Sequence, residues 1–473
     1  MKKVTFIFVC LYFAILSQAR IITVDDDGSA DFNNIQAAIN DANNGDTIIV
    51  SDGIYNGDGN RDIDFNGKTI TLKSEGGPEN CIIDCNGTEE LHRGFYFHSG
   101  EGADSVLDGF TITNGCAYKG GAIYCRYSSS PTIINCIIRG NISPYEYVPD
   151  PFLPMVILQD GGGIYCSESN PIIKNCHFIE NIATAGGGAI CSWHGNALVD
   201  SCVIKSNWAG ISGGAIELFG DNMSIHNCVI TGNSAGDVYY YSGGVGGAIC
   251  CSGFYSSTPT ISNCTISGNR TVRYGGGILC GDQSDVTVSN SVVWGNNALE
   301  GHEVGLIYGA FGPSSLTISY SDIQGGAAGV FIGSVCTLNW KAGNIDVDPC
   351  FAEPGYWDPN GTPEDANDDF WVGGNYHLKS QASRWNPDSK NWVQDEVTSP
   401  CIDAGDPHSP IGLEPFPNGG IINMGAYGGT AEASKSYFGE PVCETIVAGD
   451  INGDCKVNFK DFAIMAFHWL EER

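Results

Sequence analysis

Through the middle of the chain, apolar residues fall in short alternating runs broken by Gly, Asn and Ser. GGAIYC (120–125), PTII (131–134) and CIIRG (136–140) are one such set. Period-two alternation over three or four residues predicts strands, with no helical stretch between them. The set then repeats. A Gly-Gly-small-Ile tetrad ends at Ile123, Ile164, Ile190, Ile216, Ile249 and Ile278, in steps of 41, 26, 26, 33 and 29 residues. Downstream of each comes Asn-Cys-x-apolar-x-x-Asn, as in NCIIRGN (135–141), NCHFIEN (175–181), NCVITGN (227–233) and NCTISGN (263–269). DSCVIKSN (200–207) and SNSVVWGN (289–296) are variants. Self-similarity at this period predicts a solenoid in which each unit stacks on the last. Strand parity sends Ile123, Cys125, Ile133, Cys136 and Ile138 inward and Tyr124 and Arg126 outward, with a turn at Asn135 resetting the phase.

Three strands per turn without an intervening helix resembles the right-handed parallel β-helix of pectin-lyase-like proteins. The resemblance spans roughly residues 45–335. It implies an all-β solenoid with an N-terminal helix cap; a C-terminal cap region and a short EF-hand-like helix are expected from the motifs that follow it. In that family the asparagine between second and third strands forms a ladder, which Asn135, Asn175, Asn227, Asn263 and Asn290 would form here. DFNNIQAAINDANNGDTIIV (31–50) resembles the opening of pectinesterases, a short amphipathic helix that plugs the barrel and then the first strand. DVDPCF, GNYHLKSQAS, SPCIDAGDP and NMGAYGG resemble the C-terminal region of many secreted bacterial β-helix proteins. They imply a terminal cap with a Trp-rich lobe (Trp357, Trp371, Trp385, Trp392) and a Cys350–Cys401 pair. The expected boundaries are a signal peptide at 1–19, the β-helix with its N-terminal cap at 20–335, the C-terminal cap region at 336–440 and a calcium repeat at 441–473.

Composition narrows the function. Apolar residues make up 42%, which with their periodicity argues against disorder. The net charge of −32 repels nucleic acid and anionic lipid. MKK followed by VTFIFVCLYFAIL and Ser17-Gln18-Ala19 reads as a secretory signal, so the protein is expected outside the cell or on its surface, with no membrane span in the mature chain. Cys136, Cys176, Cys202, Cys228 and Cys264 share one register, and Cys125, Cys166, Cys251 and Cys280 another. They are expected as buried ladders of small hydrophobes, with neighbours near enough to oxidise.

Near the end, Asp450, Asn452, Asp454, Asn458 and Asp461 stand at positions 1, 3, 5, 9 and 12 of a loop, with the Lys456 carbonyl at position 7. Ca²⁺ takes six to eight oxygens, and this spacing wraps them around one ion. With the helix FAIMAFHWL behind it, the segment resembles one repeat of a type I dockerin. Dockerins carry two; a cohesin-like or cell-surface partner is what the resemblance implies.

The longest insertions, 142–160 and 234–245, fall at one corner, where the resembled family keeps its substrate cleft. They bring Tyr145 and Tyr240 to that edge. On the adjoining sheet, Tyr124, Tyr165, Trp193 and Phe219 are expected as one aromatic strip that packs on sugar faces, flanked by Arg126, His194 and Glu217. A carboxylate among aromatics is a candidate acid or base, His194 an assistant, and Arg126 a clamp for a substrate carboxylate. Each also has a structural alternative, a salt bridge or a solvated edge. The function implied is action on an extracellular polysaccharide, as a lyase or less readily a glycoside hydrolase. GGAI paired with FIEN (178–181) also resembles polymorphic outer-membrane protein repeats, and with them a non-catalytic adhesin or carbohydrate-binding scaffold.

Overall fold

The computed structural model describes residues 19–473 except 88–89, 149–154, 237–243, 254–256, 363–367, 440–448, 450, 452–455 and 470–473. The expected signal peptide therefore lies outside the described residues, apart from its last position. The chain folds as a right-handed parallel β-helix with three long parallel sheets. The GGAI-type strands form a nine-stranded first sheet, from Phe95–Phe97 to Phe331–Ile332. The PTII type gives a twelve-stranded second sheet, from Ile21–Val24 to Thr337–Trp340. The CIIRG type gives a ten-stranded third sheet, from Gly53–Asn56 to Asp322–Ile323.

Register follows the repeat. Ile123, Ile164, Ile190, Ile216, Ile249 and Ile278 pair in succession, and all six are fully buried in the one core that fills the helix. The double glycines are required by geometry. At Gly213 φ is +59°, and a β-carbon there would come 2.3 Å from the Ile216 carbonyl oxygen. The cysteine registers are buried beside these isoleucines, and every described cysteine is a free thiol. Cys350 and Cys401 are likewise unpaired. Cys401 instead donates its thiol to Asp322 Oδ2 at 3.1 Å.

A fourth strip was not anticipated. Ile142–Ser143, Ile182–Ala183, Trp208–Ala209, Ser234–Ala235 and Arg270–Thr271 pair in parallel at the corner before the first sheet. Two-residue strands are too short to show a period.

The asparagine ladder also sits elsewhere. The second asparagine of each motif is fully or nearly fully buried. Asn141, Asn181, Asn207, Asn233 and Asn269 each donate from Nδ2 to the Oδ1 of the next, ending at Asn296, at 2.9–3.0 Å. The row ends on Glu303, whose Oε2 accepts from Asn296 Nδ2 at 2.5 Å. Burial pushes the Glu303 carboxyl up to about 7. The first asparagines keep their turn role, with φ of 48–54°. Their side chains meet loosely, as from Asn175 to Asn135 at 3.4 Å, or bond elsewhere, as from Asn227 to the Gly428 carbonyl at 2.9 Å. Ser201 interrupts that row.

The order of elements at the front and the boundary at the back differ from expectation. Ile21–Val24 precedes the plugging helix and pairs with Thr47–Val50, so the first strand comes before the helix. That helix, α1 (Ile35–Asp41), is capped by Asn34 and buries Ile35, Ala38 and Ile39. At the other end, Thr337–Trp340 pairs with Ser315–Ile318, so a boundary at 335 cuts through a coil.

The region expected as a terminal cap lies along the flank of the helix. It folds back along the outside of the third sheet as a lobe with three antiparallel strand pairs among the described residues. Outward Val229 and Val292 are buried under its Phe351, Tyr376, Leu378, Met424 and Ala426. Apolar residues on both faces of third-sheet strands record this cover.

Candidate functional site

Outward side chains of the first sheet stand in two rows. Tyr96, Tyr124, Tyr165, Cys191, Glu217 and Cys250 occupy one register. Arg126, Ser167, Trp193, Phe219 and Ser252 occupy the other. The expected single strip is thus two stacks. Tyr124 and Tyr165 meet at 5.4 Å, and Trp193 and Phe219 at 5.8 Å. The reason is parity: Trp193 lies two residues beyond the register of Tyr165, on the same face but in the next row.

The first row is sealed from Tyr165 onward. Tyr165, Cys191, Glu217 and Cys250 are at most 2% exposed. The turn that enters each GGAI strand folds over them: a β-carbon at Gly186 would come 3.0 Å from Glu217 Cγ. Glu217 was expected to face solvent among aromatics; it does not. Its Oε1 accepts from the Ser252 hydroxyl at 3.3 Å, while Oε2 is buried without a hydrogen bond. Burial pushes this carboxyl up to about 8, so it is a neutral acid at pH 7. Two neighbours behave alike. Asp160, bonded by Gly186 N–H at 2.9 Å, and Asp221, bonded by the Ser192 hydroxyl and by Gly195 N–H, are each pushed up to about 6 by burial.

The second row is half-buried and open. Arg126 donates to the Tyr96 hydroxyl at 3.0 Å and lies 3.6 Å over the exposed Tyr127 ring. His194, in a left-handed turn with φ of 56°, has its ring 5.9 Å from Trp193. The tyrosine end gathers further cations that sequence reasoning missed. Arg93 lies 5.2 Å over Tyr124 and donates to the carbonyls of Tyr118 and Lys119, and Lys119 Nζ lies 5.6 Å over Tyr165. Tyr96 in GFYF had the right parity; Arg93 and Lys119 sit in turns, where parity says nothing. Tyr145, 57% exposed, stands at the base of a hairpin of Glu146–Val148 and Met155–Ile157. Tyr240 lies outside the described residues.

Of the calcium loop, Asp450, Asn452 and Asp454 lie outside the described residues. Asp461 is 1% exposed. Its Oδ1 accepts from Ile451 N–H at 2.8 Å and its Oδ2 from Asn458 N–H at 2.6 Å, so it faces into the loop. Asn458 Oδ1 caps helix α2 (Phe459–Trp469) by accepting from Lys460 N–H, and its Nδ2 donates to the Lys456 carbonyl. These placements fit an oxygen-ligand loop closed by its twelfth residue. Among the described residues no helix is long and apolar enough to cross a membrane.

Residues 162–346 match the family described as right handed beta helix region, and residues 362–405, in the lobe, match one described as disaggregatase related. No curated protein matches the chain. Among solved structures the chain is similar to a pectin methylesterase in complex with hexasaccharide VII. The identity is 12% and the TM-score 0.31, over 76% of this chain and 86% of that one. A pectin methylesterase from carrot gives 12% identity and a TM-score of 0.24, over 69% and 88%.

Proposed function

We propose that this is a secreted protein that holds an acidic extracellular polysaccharide along the open row of its first sheet. The observation that carries this is the in-register series Arg126, Ser167, Trp193 and Phe219. Successive coils are about 4.8 Å apart, close to one sugar unit per coil. A guanidinium matches a carboxylate in two-pronged geometry, and indole and phenyl faces pack on sugar C–H surfaces. Arg93, Lys119 and Arg126 gather positive charge at one end of the row on a chain of net charge −32. That contrast favours an anionic sugar there.

The finer reading is lyase-like. Arg126 neutralises a uronate carboxylate, which acidifies the adjacent C5 proton. A base takes that proton, the C5–H electrons form the C4=C5 double bond, and the C4–O pair leaves with the departing oxygen, which water protonates. His194, two coils from Arg126, would face a sugar further along the row. Glu217, sealed behind the row, supports its wall through Ser252 and does not reach the substrate. Hydrolysis by paired carboxylates is less well served, because Glu217 and Asp221 are buried and Asp160 is only partly exposed. Burial of Glu217 also favours a second reading, an adhesin or scaffold that binds without turnover.

A panel of uronic and neutral glycans separates these readings. Ultraviolet absorbance reports unsaturated products, new reducing ends report hydrolysis, and binding with neither reports an adhesin. Trp193→Ala should abolish uronate binding. Arg126→Ala should weaken it most at low salt. Uronate binding unaltered in both variants places the function elsewhere.

The C-terminal segment is proposed as a calcium-held docking helix, with the carboxylates and amides of 450–461 and the Lys456 carbonyl as ligands. Phe459 and Phe462, 86% and 57% exposed, would meet a cohesin-like or cell-surface partner.

A further inference from the structure

Where the lobe meets the corner of the helix it leaves a cleft of about 710 Å³, within the range of small-molecule sites. One wall comes from the fourth strip, whose outward positions run Ile182, Trp208, Ser234 and Arg270 on successive coils. Trp208 and Arg270 are thus about 10 Å apart along the axis, with only the small Ser234 between them. Gly232, Ala235 and Gly236 complete a floor with almost no side-chain bulk. The lobe supplies the other wall through Trp357, Phe370 and Trp371.

The polar groups in this cleft are fixed. Arg270 lies 3.6 Å over the Trp357 ring and 2.6 Å from Asp369 Oδ2, and Trp357 Nε1 donates to the Gly268 carbonyl at 2.7 Å. Donor and acceptor therefore stand side by side on a rigid support, an arrangement suited to adjacent hydroxyls. Trp208 is half-buried and Phe370 is 49% exposed, so both keep apolar surface turned to solvent. Aromatic side chains on both walls of one cleft, Trp208 on the helix and Trp357 and Phe370 on the lobe, with a hydroxyl-matching pair beside them, describe a seat for a pyranose.

Charge selects the kind. Among the lining residues, Glu180 and Asp369 outweigh Arg270, within a chain of net charge −32. A uronate or sulfated sugar would be repelled here, in contrast to the row on the first sheet.

We infer that the cleft between lobe and helix binds a neutral pyranose unit of a glycan. The site stands independently of the first-sheet reading, because it uses a different strip and a different charge.

The test uses the full chain with neutral cello-, manno- and xylo-oligosaccharides as probes, followed by calorimetry and tryptophan fluorescence. At least one series should bind the wild type. Trp208→Ala should weaken it roughly tenfold or more while near-ultraviolet circular dichroism shows the lobe still seated. Asp369→Asn should weaken it too, and Arg126→Ala should leave it unchanged. Absence of binding by all three series at millimolar concentration overturns the proposal, as does full affinity in Trp208→Ala. Loss of neutral-sugar binding in Arg126→Ala would also overturn it, because the ligand would then sit on the first sheet.

Discussion

Trp371 lies against Gly268 so closely that a β-carbon on that glycine would fall 1.9 Å from the indole Cη2. The same ring crosses to the coil before, where a β-carbon on Gly232 would fall 2.0 Å from Cγ. One indole of the lobe therefore spans two coils, in a groove that exists because the turn position ahead of the buried asparagine is glycine in both. Lobe and helix are keyed together at this point.

Gly268→Ala should dislodge the lobe. The left-handed φ of +66° alone costs an alanine about 1–2 kcal/mol. Displacing Trp371, and with it the Trp357 bond to the Gly268 carbonyl, adds to that. Gly295→Ala is the control. Its φ is +75°, but the nearest contact to a β-carbon is Ser267 Oγ at 3.8 Å, so the backbone term stands nearly alone. Urea unfolding with near-ultraviolet circular dichroism should show a larger loss for Gly268→Ala, about 3 kcal/mol or more, with altered tryptophan signal. Equal losses in the two variants would show that the key does not hold.

Asn207→Ala tests which asparagine row supports the solenoid. Asn207 accepts from Asn181 and donates to Asn233 and to the Phe178 carbonyl at 3.1 Å, all buried. Removing it strands several polar groups at roughly 1–3 kcal/mol each. Asn175→Ala, in the exposed row, should cost about 1 kcal/mol through its left-handed turn. Thermal unfolding of both variants decides. A larger loss for Asn175→Ala would return the structural role to the first asparagines.

The strand-level architecture was legible because a buried strand leaves a period of two and a coil leaves a period near its own length. The isoleucine stack, the inward cysteines and the outward Tyr124 and Arg126 all followed. Three things did not. The buried asparagine row was visible as the second Asn of the motif, yet a seven-residue motif gives no sign of which Asn loses solvent. The lobe's position depends on contacts some hundred residues apart in sequence, as between Arg270 and Asp369, and no local pattern encodes these. Glu217 was misplaced because parity reports which face a side chain leaves from, whereas its exposure depends on the turn that folds over that face.

Stability should fall as pH rises toward 8, in part through Glu217. Its carboxyl moves from 4.5 to about 8 on folding. Below 4.5 both states hold the proton and it contributes nothing. Between these values only the native state does, so unfolding releases a proton and stability falls with pH by up to about 1.4 kcal/mol per unit. Above about 8 the effect is complete. His377, pushed down to about 3 by burial, acts oppositely between about 3 and 6.5, so the cleaner window starts at 6.5. Across pH 6.5–8 the wild type should lose up to about 2 kcal/mol more than Glu217→Gln. Parallel urea midpoints for the two proteins over that range would contradict the burial assigned to Glu217.

Calcium should bind once, at the C-terminal loop, and Asp461 should be needed for it. As it stands, Asp461 joins the two ends of the loop through the N–H groups of Ile451 and Asn458. A carboxylate held there is in the position of a twelfth ligand, and it also favours the start of α2 through the helix dipole. The two roles separate by charge. Asp461→Asn keeps an oxygen acceptor for the loop but loses the negative charge that a hard dication requires. Calorimetry on the full chain should give one site, weakened roughly tenfold or more in Asp461→Asn and abolished in Asp450→Ala. If Asp461→Asn binds calcium as the wild type does, the residue is a loop clasp and nothing else. If the wild type gives no heat in millimolar calcium, the loop is an acidic turn.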